Sequence, residues 1–482
     1  MNKRLIVYIL GWVLIVEGAA MQICSLTSLI YAEHEALYFL GTGAVSALLG
    51  VLAVKIKKPK NMVLYQKAGF CATALSWIVL SLVGAMPFFL SGEIPHYIDA
   101  LFETISGFTT TGATILAEVE RLSHGMLMWR SLMNWLGGMG VIVFLLALIP
   151  KLGGQQNIYL MRAESPGPIV GKAVPKMRHY AMMLYGIYIG LTLIELILLL
   201  CGGMGFFDAI NTSFATAGTG GFGVRNANIA AYDSYYLQTV IAVFMMLFGV
   251  NFSVYILLIT RKFGQALHME ELWFYLGIIV LSTVVIGINI MPLYPTVHDA
   301  FHQSFFYTSS IITTTGFGIG DVNHWPMLSK SIIVFITFVG AMAGSTGGGF
   351  KIARIVLLGK EAKKEFYLLV HPRNVRKVKM DGKSVDHNIM RSTSVYLVVY
   401  VAVCVFSFIL VSIEGRGFVT SFTAVAATLN NTGPGLGDVG PVGNYAMLTP
   451  FTKCVLAFDM LAGRLELYPL LLLFTPAAWK KS

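Results

Sequence analysis

Apolar residues are gathered into blocks of about 20, the length that crosses the hydrocarbon core of a bilayer. The blocks fall at roughly 5–30, 36–55, 69–91, 125–149, 180–203, 235–260, 272–292, 328–358, 392–413 and 449–478, so ten spans are predicted. Met1-Asn2-Lys3-Arg4 leads directly into the first block with no small-residue cleavage site, so no cleaved signal peptide is expected. Composition agrees with this pattern. The 482 residues are 56% hydrophobic and only 12% charged, with a mean hydropathy of +0.72, where a soluble chain carries about 25% charged residues. That leaves too little polar surface for a water-facing globule. It also excludes a disordered, collagen-like or disulfide-scaffold chain. The five cysteines, Cys24, Cys71, Cys201, Cys404 and Cys454, lie in apolar stretches and read as inert core thiols.

The net charge of +10 is better explained by topology than by a nucleic-acid partner. With the N-terminus in the cytoplasm and alternating spans, 27 of the 34 basic residues fall inside, as the positive-inside rule requires. Arg121, Arg130, Arg225, Lys330, Arg416 and Lys453 fall outside, and Arg464 falls within a span. Both termini are then cytoplasmic. Thirteen of the 24 acidic residues fall outside. They form either an acidic mouth that concentrates cations or loops that are simply polar.

Between several pairs of spans lies a segment too short and too amphipathic to cross, ending in Thr/Gly-rich sequence. Asp99 precedes Gly112 by thirteen residues, and Asp208 precedes Gly221 by the same number. The third and fourth segments share Thr-Gly-x-Gly-x-Gly-Asp-Val, at Thr315–Val322 and Thr432–Val439. Successive marked glycines, Gly112, Gly221, Gly316 and Gly433, are 109, 95 and 117 residues apart. Each unit therefore reads as span, re-entrant segment, span, repeated four times. Non-helical backbone at membrane depth is tolerated where protein buries it or where it lines a water-filled path. Four such loops around one axis would present a ring of carbonyls that replaces the hydration shell of a potassium ion. Glycine suits that backbone because it reaches positive φ. The threonine before it adds a hydroxyl and fills space behind the ring. Short helices leading into the loops would turn their negative ends toward a cation.

The eighth span is interrupted by Gly340–Gly349, which ends in three consecutive glycines costing a helix about 3 kcal/mol. It reads either as a movable loop below the ring or as a site of tight helix packing. Ionisable residues predicted within spans are Glu17, Glu195, Asp459, Arg464 and Glu466, which are functional hypotheses by default. Arg464 reads equally as an electrostatic barrier facing the ion path and as half of a structural pair with a carboxylate. Gly218–Gly223 fits G-x-G-x-x-G without the preceding strand that a dinucleotide site needs, and Gly344–Lys351 misses the phosphate-binding pattern because Phe350 separates glycine from lysine. No zinc-ligand spacing occurs, so an enzyme is not expected, and no cofactor is expected in this chain.

At Trp129–Gly140, the four loops, Gly340–Arg354 and Leu461–Glu466, the chain resembles the TrkH subunit of bacterial Trk potassium-uptake systems, in a superfamily shared with KtrB. Ten spans rather than eight favour the TrkH-like branch. The resemblance implies an all-α polytopic membrane protein with four pseudo-symmetric span–pore loop–span repeats around one pore, preceded by two extra N-terminal transmembrane helices. The corresponding units are 1–68, 69–179, 180–271, 272–391 and 392–482. It implies potassium as the transported ion, a bacterial inner membrane location, a homodimer surrounded by membrane lipid, and a cytosolic TrkA-like nucleotide-binding regulatory subunit. Carried over by position, the potassium-binding filter is Thr110-Thr111-Gly112, Thr219-Gly220-Gly221, Thr314-Thr315-Gly316 and Asn431-Thr432-Gly433. The gate maps to Gly344, Ser345, Thr346, Gly347, Gly348 and Gly349, with Arg464 beside it. Gly220 and Asn431 depart from the threonine pattern. The rival reading is a secondary transporter coupling potassium to sodium or protons, for which Glu17, Glu195, Asp459 and Glu466 are the candidate second-ion groups. The basic Lys360–Arg391 segment reads either as a docking surface for the cytosolic subunit or as an ordinary positive-inside loop.

Overall fold

A computed structural model describes residues 3–57, 59, 66–140, 177–374 and 376–479, which are mostly helical. In chain order the first helices are α1 (Lys3–Ile30), α2 (Ala36–Ile56), α3 (Gln66–Gly84), α4 (Met86–Ser91), α5 (Tyr97–Phe108) and α6 (His124–Gly138). There follow α7 (Met177–Cys201), α8 (Phe206–Gly218), α9 (Tyr235–Phe248), α10 (Phe252–Ile259), α11 (Phe263–Leu267), α12 (Glu270–Ile290) and α13 (Val297–Ile312). The last are α14 (Met327–Val339), α15 (Ile352–Val370), α16 (His387–Ser412), α17 (Phe418–Leu429), α18 (Pro450–Arg464), α19 (Tyr468–Leu473) and α20 (Pro476–Trp479). A small antiparallel hairpin, β1 (Lys379–Met380) with β2 (Lys383–Ser384), sits between α15 and α16.

Among the described residues, six helices are long and apolar enough to cross a membrane: Lys3–Ile30, Ala36–Ile56, Lys67–Ser91, His179–Cys201, Glu270–Leu293 and His387–Ser412. Their outward faces carry Leu37, Val280, Leu281, Val398 and Phe406, which remain exposed because the partner of such a surface is lipid rather than protein. The same fact corrects the reading of the cysteines. Cys24, Cys71 and Cys404 are buried, but Cys201 and Cys454 are exposed, because an apolar neighbourhood in a spanning helix need not point inward.

Close packing of α1 on α2 follows from glycines seven residues apart, two turns along one face. A Cβ on Gly18 would lie 2.5 Å from the Gly43 carbonyl oxygen, and one on Gly50 would lie 2.5 Å from that of Gly11. Without a hydrophobic drive between helices in lipid, such small-residue contact is what holds them together.

The short helices α5, α8, α13 and α17 each enter and stop. Their 12 to 16 residues rise about 18 to 24 Å, short of a bilayer core of about 30 Å. Asp99, Asp208 and Asp299 stand in the first turns of α5, α8 and α13, where a carboxylate favours the positive helix end.

Three of the predicted spans are interrupted among the described residues. A break was expected in the eighth alone, and it occurs between α14 and α15. The sixth, predicted at 235–260, is also broken: α9 and α10 meet at 89°. Gly249 packs there so tightly that a Cβ would lie 2.5 Å from the Tyr275 hydroxyl. Asn251 restarts the helix by accepting from Ser253 N at 2.8 Å, a side-chain cap of the kind that Asn favours. The tenth breaks at Glu466 and Leu467, both at positive φ (52° and 64°). In the fourth, α6 ends at Gly138, and residues 141–149 of the predicted span lie outside the described residues. Lys151–Lys176 and Lys480-Lys481 of the charge pattern also lie outside them.

Candidate functional site

Each short helix ends in the same way. Thr110, Thr219, Thr314 and Asn431 occupy the left-handed region at φ of 54°, 53°, 59° and 55°. The amide one residue later reaches back five residues, from Thr111, Gly220, Thr315 and Thr432 to Ser106, Ala215, Ser310 and Ala427, at 2.8–2.9 Å. The left-handed residue itself bonds the carbonyl three back. This is the Schellman ending, which glycine normally makes. A β-branched residue there is an outlier that costs on the order of 1–3 kcal/mol and persists only where the surroundings enforce it.

One residue beyond these pairs stand Gly112, Gly221, Gly316 and Gly433, at φ of 82°, 70°, 83° and 90°. A Cβ on Gly112 would lie 2.1 Å from the Gly220 carbonyl oxygen, and on Gly221 2.0 Å from that of Thr315. On Gly316 it would lie 2.1 Å from Thr432 O, and on Gly433 2.5 Å from Thr111 O. Each glycine thus faces the carbonyl just before the glycine of the next loop, and the fourth loop returns to the first. Eight of the twelve residues assigned to the loops from sequence make this cyclic contact, and the other four, Thr110, Thr219, Thr314 and Asn431, are the left-handed residues that lead into it.

Further hydrogen bonds tie the seams between the loops and the helices that lead into them. Asn226 Oδ1 accepts from Val119 N at 2.7 Å, and Asn323 exchanges bonds with Gly437. Tyr445 N donates to Thr114 O, while the Tyr445 hydroxyl donates to Gly433 O, both at 2.8 Å. The Tyr235 hydroxyl reaches Asp299, and His302 and Gln238 pair at 2.8 Å.

Two cations placed outside by charge counting are in fact buried supports. Arg130 is 2% exposed, pairs with Glu103 at 2.8 Å, donates to Gly223 O at 2.9 Å and stacks 4.1 Å over Phe222. It therefore joins the first loop to the second. Lys453 pairs with Asp99 at 2.7 Å, joining α18 to α5. The signals were available: Arg130 stands in an apolar helical run, and Glu103 lies mid-helix among Phe102, Thr104 and Ile105.

Beneath two of the loops runs the segment between α14 and α15. Gly348 N donates to the Thr314 hydroxyl at 2.6 Å, and a Cβ on Gly348 would lie 2.4 Å from Asn430 O. A Cβ on Gly347 would lie 2.7 Å from Thr313 O. On its other side the segment binds the break in the sixth span: Phe252 N donates to Gly344 O at 3.0 Å, Met342 N to Gly249 O at 3.2 Å, and the Thr346 hydroxyl to Phe248 O at 3.1 Å. Ser345 closes back on Met342 O.

Arg464 reaches the same segment. It donates to Thr346 O at 2.8 Å, and to Gly137 O and Gly138 O at 2.5 and 2.7 Å. Glu466, one candidate partner for it, pairs with Arg354 instead, and Asp459 accepts from Ser407 at 2.6 Å. Glu17 is buried with no hydrogen-bond partner for its carboxylate among the described residues, and Glu195 is buried beside the Thr216 hydroxyl.

Glu271 was not singled out from the sequence. Its buried Oε1 accepts from Ala343 N at 2.6 Å and Ala353 N at 3.2 Å, clasping the two ends of the interrupted segment. The adjacent Glu270 pairs with Lys360 and bonds Asp381 in the β hairpin through both its backbone N and its carboxylate. Two neighbouring carboxylates at the start of α12 thus link the hairpin to the segment under the loops.

Comparison with known proteins gives one consistent answer. The family described as TrkH, cation transport protein, matches residues 38–481. The Trk system potassium uptake protein TrkH of Escherichia coli is 36% identical over 490 residues, covering 100% of both chains. The TrkG protein of the same organism is 32% identical, covering 99% of each chain. The TrkI protein of Halomonas elongata is 30% identical, covering 99% of this chain and 97% of its own. The crystal structure of the potassium transporter TrkH from Vibrio parahaemolyticus superposes with a TM-score of 0.89 at 32% identity, covering 100% of both chains. The chain belongs to the TrkH family of cation transport proteins, and is a membrane transport protein rather than an enzyme.

Proposed function

We propose that the chain carries potassium across the bacterial inner membrane through a pore whose selectivity filter is the ring formed by Thr110–Gly112, Thr219–Gly221, Thr314–Gly316 and Asn431–Gly433. The observation that carries this reading is the cyclic contact of the four glycines with the carbonyls of the neighbouring loops. Backbone carbonyls held in a closed ring can replace the hydration shell of a desolvated cation. The C-terminal ends of α5, α8, α13 and α17 all abut this ring, so four negative helix ends favour a cation there. The relatives, named as potassium uptake proteins, supply the identity of the ion.

The four loops then belong to four repeats, at 69–179, 180–271, 272–391 and 392–482, after a two-helix unit at 1–68. The charge asymmetry supports loops facing outward and both termini in the cytoplasm. The segment Gly344–Gly349 is the gate, because it lies against the third and fourth loops and is held by Arg464, a fixed cation in the path of another. Opening requires release of the Thr346 carbonyl and withdrawal of the loop. A cytosolic nucleotide-binding subunit would drive that step from the basic Lys360–Arg391 region, whose hairpin connects to the gate through Glu270 and Glu271. The relatives' description as parts of a Trk system supports such a partner, and the functional unit is a homodimer with one pore in each chain.

Purified protein reconstituted in vesicles tests this directly. Potassium or rubidium uptake should exceed sodium uptake, and Gly112→Ser or Gly316→Ser should raise sodium entry relative to potassium. Unchanged selectivity in both variants would remove these loops from the filter.

A further inference from the structure

The second loop lacks two side chains that the first and third possess. In the first, the hydroxyls of Thr109 and Thr111 pair at 2.8 Å, and in the third those of Thr313 and Thr315 do the same at 2.8 Å. These pairs sit at the end of the short helix and fix the residue before each marked glycine. The equivalent positions in the second loop are Gly218 and Gly220, so no such pair forms there.

One residue of α6 stands in the space left open. A Cβ on Gly220 would lie 2.3, 2.5 and 2.6 Å from Cγ, Nδ2 and Oδ1 of Asn134, and a Cβ on Gly218 would lie 2.2 Å from Asn134 O. Asn134 is fully buried, and neither its Nδ2 nor its Oδ1 has a hydrogen-bond partner among the described residues. A buried carboxamide left unsatisfied is destabilising, so a packing role alone would favour an apolar residue. The helix itself approaches backbone to backbone, since a Cβ on Gly138 would lie 2.6 Å from the Gly218 Cα.

We propose that Asn134 is a positioning residue that serves the second loop as the threonine pairs serve the first and third. Its carboxamide, supplied from the neighbouring helix, backs the Gly220-Gly221 backbone and sets the width of the ring on that side. The exchange is reciprocal: a threonine at 220 and the Asn134 carboxamide cannot occupy the same space. The proposal rests on the ring being the selectivity filter.

The test is an exchange cycle in vesicles containing the full chain, with wild type, Asn134→Ala, Gly220→Thr and the double variant compared for potassium and sodium uptake at equal protein. Gly220→Thr alone should lose at least about tenfold in potassium uptake or in folded yield, the scale of a steric overpacking penalty. Asn134→Ala alone should lower the potassium-to-sodium uptake ratio by about tenfold, the scale set by removal of one well-placed group. The double variant should recover both quantities to within about threefold of wild type, the signature of direct coupling in a cycle. If Gly220→Thr does not fold, recovery of folded protein by adding Asn134→Ala reads the same exchange. A double variant no better than the poorer single variant overturns the proposal. Gly112→Ser in the same vesicles reads the filter assignment separately. Unchanged sodium exclusion there overturns the filter itself, whereas a changed one with no rescue at 134 and 220 overturns only the role of Asn134.

Discussion

The four left-handed residues show how much is decided by single side chains. Thr110, Thr219, Thr314 and Asn431 sit where glycine would be easier, and the Thr314 hydroxyl is used at once, accepting from Gly348 N in the segment below. Thr314→Gly relieves the backbone but removes that contact. It should therefore leave folding intact while raising potassium leak in the absence of any partner, as read by rubidium efflux. Arg130 and Glu103 form the other residue-scale test. Removing one partner of a buried ion pair strands a charge and costs about 3–5 kcal/mol. Glu103→Ala should thus lower the melting temperature of the purified protein sharply, and adding Arg130→Met should recover part of the loss. Threonine and glycine at the loops were legible in the sequence because both their spacing and their type repeat. Arg130 and Glu103 were legible only as two isolated charges in apolar helical runs; that they pair was not, because counting charges by side of the membrane takes no account of burial.

Helices broken in the middle are the dominant element-scale feature. Three glycines in a row announced the break after α14, yet α9–α10 bends by 89° with a single glycine, and the positive-φ residues of the bend after α18 are Glu466 and Leu467 rather than glycines. Those breaks come from tertiary contacts: Gly249 against Tyr275, Asn251 as a cap, and Glu466 drawn to Arg354. Local propensity, a weak determinant beside packing, contains no record of them. The interrupted segment is itself held at both ends by Glu271. Replacing Glu271 with alanine orphans the Ala343 and Ala353 amides and should give potassium flux independent of a cytosolic partner, as should shortening Ala343–Gly349. Flux that stays fully partner-dependent in both variants would detach this segment from gating. Arg464→Ala should raise flux without changing selectivity, since the arginine contacts Thr346, Gly137 and Gly138 rather than the ring.

At the scale of the whole molecule, six of the ten apolar blocks are found, among the described residues, as helices long and apolar enough to cross a membrane, because a bilayer imposes length, and the four Thr/Gly segments were readable from their spacing. The closure of the fourth loop onto the first was not readable, since it depends on pairs such as Lys453 with Asp99, 354 residues apart. The buried carboxylates Glu17 and Glu195 keep the coupled-transport alternative concrete, as each would be available to a second ion. The measurement that separates the two accounts is single-channel recording of the reconstituted chain under a potassium gradient, with no sodium or proton gradient. Unitary currents reversing at the potassium equilibrium potential are predicted, and they should lose that preference in Gly316→Ser. Transport that appears only when a sodium or proton gradient is imposed would contradict the account.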